Sequence, residues 1–191
     1  MKKDRVEAFT DAIVAIIMTI MVLEMKVPRA GTLAALLAER AYFFAYLISF
    51  FLIATTWYHH HYLFTHATWI SKRAFWANCL WLFTMSLAPV ATGWVSEFPQ
   101  SRTTAYFYLL IYILWGAAFR GLLLILMQDN PQKRRNLGRL TSPQRTRVEL
   151  GLMIVAIVVT YFIPILCLVV LGINSVIWII KTPKDSDRIA S

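Results

Sequence analysis

The chain has 191 residues, 59% of them hydrophobic and 15% charged, with a mean hydropathy of +0.60 and a net charge of +9. A soluble domain carries about a quarter charged residues, so the composition excludes a freely soluble globule and fits a polytopic membrane protein. The positive charge does not indicate nucleic acid, because Lys and Arg gather in short loops and no basic stripe follows a polar helix.

Met1, Lys2 and Lys3 before an apolar stretch imitate a signal peptide, but Glu7 and Asp11 interrupt the approach to it. The sequence therefore predicts a retained first span over 6–28. Arg5, Phe9, Thr10 and Asp11 open this helix, Ala12 to Leu23 carry no charge, and Glu24 and Lys26 close it. An ionisable group held at a membrane helix is costly and marks a packed polar network or an ion path.

Further apolar blocks predict spans over 42–64, 74–95 and 105–127. The last block, 148–180, is too long for one span of about 20 residues. Pro164, Gly172 and Asn174 interrupt it, giving a fifth helix over 148–171 and a short sixth over 173–180. The chain, 1–191, reads as one all-α domain with no internal repeat.

The basic residues test this count. Lys72 and Arg73 follow the second span; Lys133, Arg134, Arg135, Arg139, Arg145 and Arg147 follow the fourth. The loops after the first and third are mixed, with Arg29, Glu39 and Arg40 in one and Glu97 and Arg102 in the other. The tail holds Lys181, Lys184 and Arg188 against Asp185 and Asp187. Six spans with both termini cytoplasmic satisfy the positive-inside bias. The linker over 133–147, flanked by Pro131 and Pro143, reads as irregular or partly helical. It serves as a topology determinant or, alternatively, as a contact for anionic headgroups.

At about 100° per residue, Ala12, Ile16, Thr19 and Leu23 share one stripe of the first helix, with Asp11 about 100° from its middle and Glu24 further round. Such a seam fits an ordinary helix–helix contact or a pore wall. Around a shared axis, a ring of Ile16 forms a constriction that gates by dewetting, and Thr19 hydroxyls offer oxygen ligands to a cation. A threonine also bonds its own helix carbonyls.

The run Trp57-Tyr58-His59-His60-His61, with His66, admits four readings. One is a polar network in which His60 or His61 and Asn78 support Arg5 or Asp11. The others are an interfacial cluster without special role, a metal site and a haem site. Adjacent helical residues point about 100° apart, so consecutive histidines do not converge on one ion, and no metal is expected. Snorkelling accounts for Arg120, with pairing to an acid as the alternative. Trp94 and Trp178 read as interface anchors. Cys79 and Cys167 lie in apolar runs and read as buried thiols. No nucleophile–base pair, phosphate loop or Cys-x-x-Cys motif argues for an enzyme.

Arg5-Val6-Glu7-Ala8-Phe9-Thr10-Asp11-Ala12 resembles the Arg-x-x-x-Phe-Ser-Asp signature of the transmembrane protein 175 family, the endosomal and lysosomal potassium channels and their smaller prokaryotic relatives. Thr10 replaces Ser and keeps the hydroxyl. The resemblance implies a single six-helix transmembrane channel domain that assembles as a homotetramer. In it the first helix lines the pore, and no Thr-Val-Gly-Tyr-Gly carbonyl filter is present. It implies Ile16 as the constriction, Thr19 as the selectivity residue and Leu23 as a further pore ring, with Arg5, Phe9, Thr10 and Asp11 bracing the helix. Ala15 stands where some relatives carry a hydroxyl, which implies only moderate preference for potassium. The expected ligand is the permeant potassium ion or another monovalent cation, with no cofactor and no nucleic-acid partner. The expected location is a prokaryotic plasma membrane. Two other functions stay open on the residues alone: a secondary transporter working through Asp11 and Glu24, and a haem-bearing redox protein.

Overall fold

The computed structural model describes residues 2–181. Among these residues the regular structure is entirely helical. Helix α1 (Lys3–Leu23) contains neither Gly nor Pro and ends ahead of Pro28. A short α2 (Leu33–Ala38), capped by the Thr32 hydroxyl, leads into α3 (Arg40–His66), an unbroken helix of 27 residues. Ser71 caps α4 (Lys72–Met85) by accepting from the Ala74 N–H at 3.1 Å.

The third apolar block is interrupted. Pro89, at the start of α5 (Ala88–Glu97), has no N–H to offer the carbonyl one turn back, and its ring crowds that turn. Helix α6 (Arg102–Asp129) follows, then a 3-10 turn (Pro131–Lys133), α7 (Arg134–Leu137) and a second 3-10 turn (Gly138–Thr141). The basic linker is thus partly helical, and buried Leu137 and Leu140 anchor it to the bundle.

The C-terminal pair corrects the sequence reading. Helix α8 (Pro143–Phe162) stops at Ile163, and α9 (Leu166–Ile180) begins just past Pro164. The break lies at the proline and not near residue 172. Gly172 and Asn174 sit inside α9 for packing reasons. A Cβ on Gly172 would lie 2.7 Å from Ile48 Cδ1, so the missing side chain lets α9 close on α3.

Four segments are long and apolar enough to cross a membrane: α1, α3, the α4–α5 run and α6; α9 is apolar but shorter. Successive segments run antiparallel. One end of the bundle gathers the start of α1, the ends of α3, α6 and α9, and the starts of α4 and α8. Contacts there include Glu7 with His61, Arg73 with Asp129, and Arg145 stacked 3.4 Å over the Trp178 ring. At the opposite end Lys26 pairs with Glu97 at 2.7 Å. The charged tail residues Lys184, Asp185, Asp187 and Arg188 lie outside the described residues.

Candidate functional site: the first helix and its brace

Helix α1 has two unlike faces. Val6, Thr10, Val14, Ile17 and Met21 are buried against the subunit. Ala12, Ile16, Thr19 and Leu23 lie about 150° round the helix from that stripe, and all four are exposed. Ile16 and Leu23 are 55% and 79% exposed, a high value for large aliphatic side chains with no cover within the subunit. The Thr19 hydroxyl donates to the Ile16 carbonyl at 2.9 Å and also lies 3.1 Å from that of Ala15. Its hydrogen is spent inside the helix, so the oxygen presents only lone pairs outward.

The buried face is held by polar contacts to two helices. Towards α3 there are two rungs one turn apart. Trp57 Nε1 donates to Asp11 Oδ1 at 2.8 Å, and His61 Nδ1 lies 3.0 Å from Glu7 Oε1. The rungs form because residues four apart on antiparallel helices line up, 7 with 61 and 11 with 57. At the far end the Tyr42 hydroxyl donates to the Met21 carbonyl. Towards α4, Asn78 Nδ2 donates to Thr10 Oγ1 at 2.8 Å, while the Thr10 hydroxyl donates to the Val6 carbonyl at 2.9 Å. Asn78 Oδ1 meets His60 Nε2 at 2.9 Å. His60 is fully buried, stacked on Trp81 at 4.8 Å and on Phe64 at 4.2 Å.

The motif residues therefore separate. Thr10 and Asp11 each engage a neighbouring helix, and Phe9 contacts the Phe75 ring at 6.3 Å while staying 45% exposed. Arg5 is exposed and makes no ion pair or hydrogen bond among the described residues, so within the subunit it braces nothing. His60 and Asn78 join one chain of bonds, but that chain ends on Thr10 and reaches neither Arg5 nor Asp11. His61 belongs to a separate contact with Glu7. Sequence reasoning missed Trp57 as the partner of Asp11. The signal was the matching four-residue spacing of Glu7 and Asp11 with Trp57 and His61.

The remaining histidines and Arg120 lie elsewhere. His59 packs on Trp178 with ring centroids 4.5 Å apart and faces Arg145, so Trp178 is a packing residue as well as an interfacial one. His66 bonds the Tyr62 carbonyl. No group of three metal-ligating side chains occurs among the described residues. Arg120 does not simply snorkel: its Nη2 pairs with Glu149 Oε2 at 2.9 Å, because α8 brings an acid alongside α6.

A bundle of apolar helices of spanning length defines an integral membrane protein, with α1 fixed on one face and bare within the subunit on the other. The family model described as endosomal/lysosomal potassium channel TMEM175 matches residues 5–89. A potassium channel of Chryseobacterium sp. (strain P1-3) is 31% identical over 186 residues, covering 96% of both chains. One of Streptomyces collinus (strain DSM 40733 / Tue 365) is 32% identical over 126 residues, 62% of this chain and 61% of its own length. The crystal structure of a lysosomal potassium-selective channel TMEM175 homolog from Chamaesiphon minutus superposes with a TM-score of 0.80 at 25% identity, covering 100% of this chain and 99% of that one. The chain belongs to the TMEM175 family, which is a family of channels and not of enzymes.

Proposed function

We propose that the chain is the subunit of a homotetrameric, potassium-permeable cation channel in which four copies of α1 line the pore. The observation that carries the reading is the uncovered Ala12–Ile16–Thr19–Leu23 stripe, set opposite a face that hydrogen bonds fix to α3 and α4. A helix so held presents its bare stripe in a defined direction, as a pore wall requires. The names of the relatives support potassium as the permeant ion.

On this reading Ile16 is the gate. A ring of isoleucine side chains makes a narrow apolar section that excludes water until it widens. One turn on, Thr19 oxygens replace part of the hydration shell of a cation; their hydrogens are already committed to α1 carbonyls, so they act as acceptors. Leu23 narrows the tube further. The flanking position Ala15 adds no oxygen, and the sequence has no carbonyl filter, so discrimination between potassium and sodium is moderate. Each subunit contributes six crossings, with α8 and α9 as the last two and both termini on the cytoplasmic side of a prokaryotic plasma membrane. The basic residues at that end of the bundle, among them Lys72, Arg73, Arg134 and Arg135, support this orientation. No cofactor enters the account.

The test is a reversal potential for the purified protein in planar bilayers with potassium on one side and sodium on the other. The expected result is an ohmic current reversing part-way towards the potassium equilibrium potential. A saturating flux coupled to pH would instead favour the transporter reading.

A further inference from the structure

A cavity of about 330 Å³ lies away from the α1 stripe, enclosed by α3, α6, α8 and α9. Its wall is largely apolar. Among the described residues five buried side-chain polar atoms have no hydrogen-bond partner, and three of them belong to residues lining this one cavity: Trp115 Nε1, Glu149 Oε1 and Asn174 Oδ1. Trp115 and Asn174 are 4% and 6% exposed, so bulk solvent does not serve them. A buried polar atom left unpaired costs free energy, and three in one chamber point to an occupant. The other wings of these side chains are engaged: Glu149 Oε2 with Arg120 at 2.9 Å and Asn174 Nδ2 with the Tyr112 hydroxyl at 2.5 Å. The unpaired atoms are therefore held in place.

The chamber has a mouth. Gly116 and Ala117 leave α6 thin opposite α8, and Ile113 and Leu150 on the rim are 38% and 58% exposed. In a membrane this opening faces acyl chains.

The three atoms set the chemistry of the head group. Glu149 Oε1 and Asn174 Oδ1 only accept, and Trp115 Nε1 only donates. Two hydroxyls supply two hydrogens and an acceptor oxygen. A carboxylate or phosphate head brings no hydrogen for Glu149 and sets like charge against it. An ammonium head cannot accept from Trp115, and it meets the Arg120 guanidinium on the wall and the Arg145 guanidinium over Trp178. We propose that the cavity binds a neutral single-chain lipid with a two-hydroxyl head, a monoacylglycerol. The head occupies the chamber and the chain leaves between Ile113 and Leu150.

Native mass spectrometry of the full-length protein in detergent, with monooleoylglycerol added, tests this. The expected result is saturable retention of one glyceride per chain. Methyl oleate, which has the same chain and no hydroxyls, should be retained at least about tenfold more weakly, the equivalent of one lost hydrogen bond. Gly116→Leu should abolish retention without lowering the unfolding temperature, since Gly116 lines the cavity and a Cβ built there meets nothing within 4 Å. Trp115→Phe should weaken it. Equal retention of methyl oleate, undiminished retention by Gly116→Leu, or no saturable retention by the wild type would each overturn the assignment; the last would leave a water-filled chamber. The comparison of the two lipids on the wild type stands whether or not the variants fold.

Discussion

Asn78 on α4 donates to the Thr10 hydroxyl on α1 at 2.8 Å, and both side chains are fully buried. The oxygen of the same amide accepts from His60 Nε2 at 2.9 Å, which fixes the proton on that ring nitrogen. One amide thus ties the pore-candidate helix to two others at the level of its motif. Asn78→Leu removes both bonds and strands His60 Nε2. The expected loss is about 1–3 kcal/mol, read as a lower midpoint in thermal unfolding of the detergent-solubilised protein. Thr10→Val should cost less, about 0.6–1.7 kcal/mol, the range for a single bond between membrane helices. Thr10→Ser should retain the bond.

The α3 side of the brace makes a separate prediction. Trp57→Phe keeps the ring stacked towards His61, whose centroid lies 6.2 Å away, but removes the N–H held by Asp11. Asp11 then has no partner on α3. The variant should fold, lose about 1–2 kcal/mol as the carboxylate loses its hydrogen bond, and show altered conductance in bilayers because α1 is freed at that rung. Wild-type conductance in a stably folded Trp57→Phe protein would show that Asp11 does not orient the helix.

Ile16→Asn should raise the resting current through planar bilayers, because an amide ring stays hydrated where an isoleucine ring dries. Ile16→Leu should leave it close to wild type. Ile16 is 55% exposed in the subunit, so neither change perturbs the core, and unfolding should be unaffected within about 0.5 kcal/mol.

Thr19→Val preserves shape and deletes the oxygen. Its hydroxyl bonds only carbonyls of its own helix, at 2.9 and 3.1 Å, so stability should change little. The reversal potential in asymmetric potassium and sodium should move towards zero while current persists. An unchanged reversal potential would remove Thr19 from the selectivity account.

The Arg120–Glu149 pair joins α6 to α8 with side chains 40% and 23% exposed. Removing one partner strands a partly buried charge. Glu149→Leu alone should cost about 1–3 kcal/mol, less than a fully buried pair because water screens it. The double variant Arg120→Leu/Glu149→Leu should recover most of the loss in a double-mutant cycle on unfolding.

The elements legible in the sequence were those written as long apolar runs without breakers. α3 and α6 extend two or three residues past the predicted 42–64 and 105–127 because hydrophobicity marks the lipid section and not the helix ends, where Arg40, Arg102 and Asp129 still satisfy helical hydrogen bonds. The interruption at Pro89 and the turn at Pro164 are both proline effects. The first was overlooked and the second displaced to Gly172, whose lack of a side chain serves a contact with Ile48 that only the tertiary structure reveals. The four-residue seam of α1 was readable from periodicity. Which face packs inward was not, since both faces are apolar: Val14 and Ile17 differ from Ile16 only in direction. Polar partners such as Trp57 for Asp11 and Glu149 for Arg120 depend on how helices line up across the bundle, and no local pattern states that.

The central claim is that the bare stripe of α1 faces permeating ions. Its most direct test is Ile16→Cys, recorded in bilayers during application of a small cationic thiol reagent, with Leu114→Cys on an exposed face of α6 as the control. Native Cys167 is buried and Cys79 half-buried, and the wild type measures their background. A pore-facing position 16 gives rapid, irreversible loss of current in Ile16→Cys and none in Leu114→Cys. Current that persists after mass spectrometry confirms modification at position 16 would contradict it.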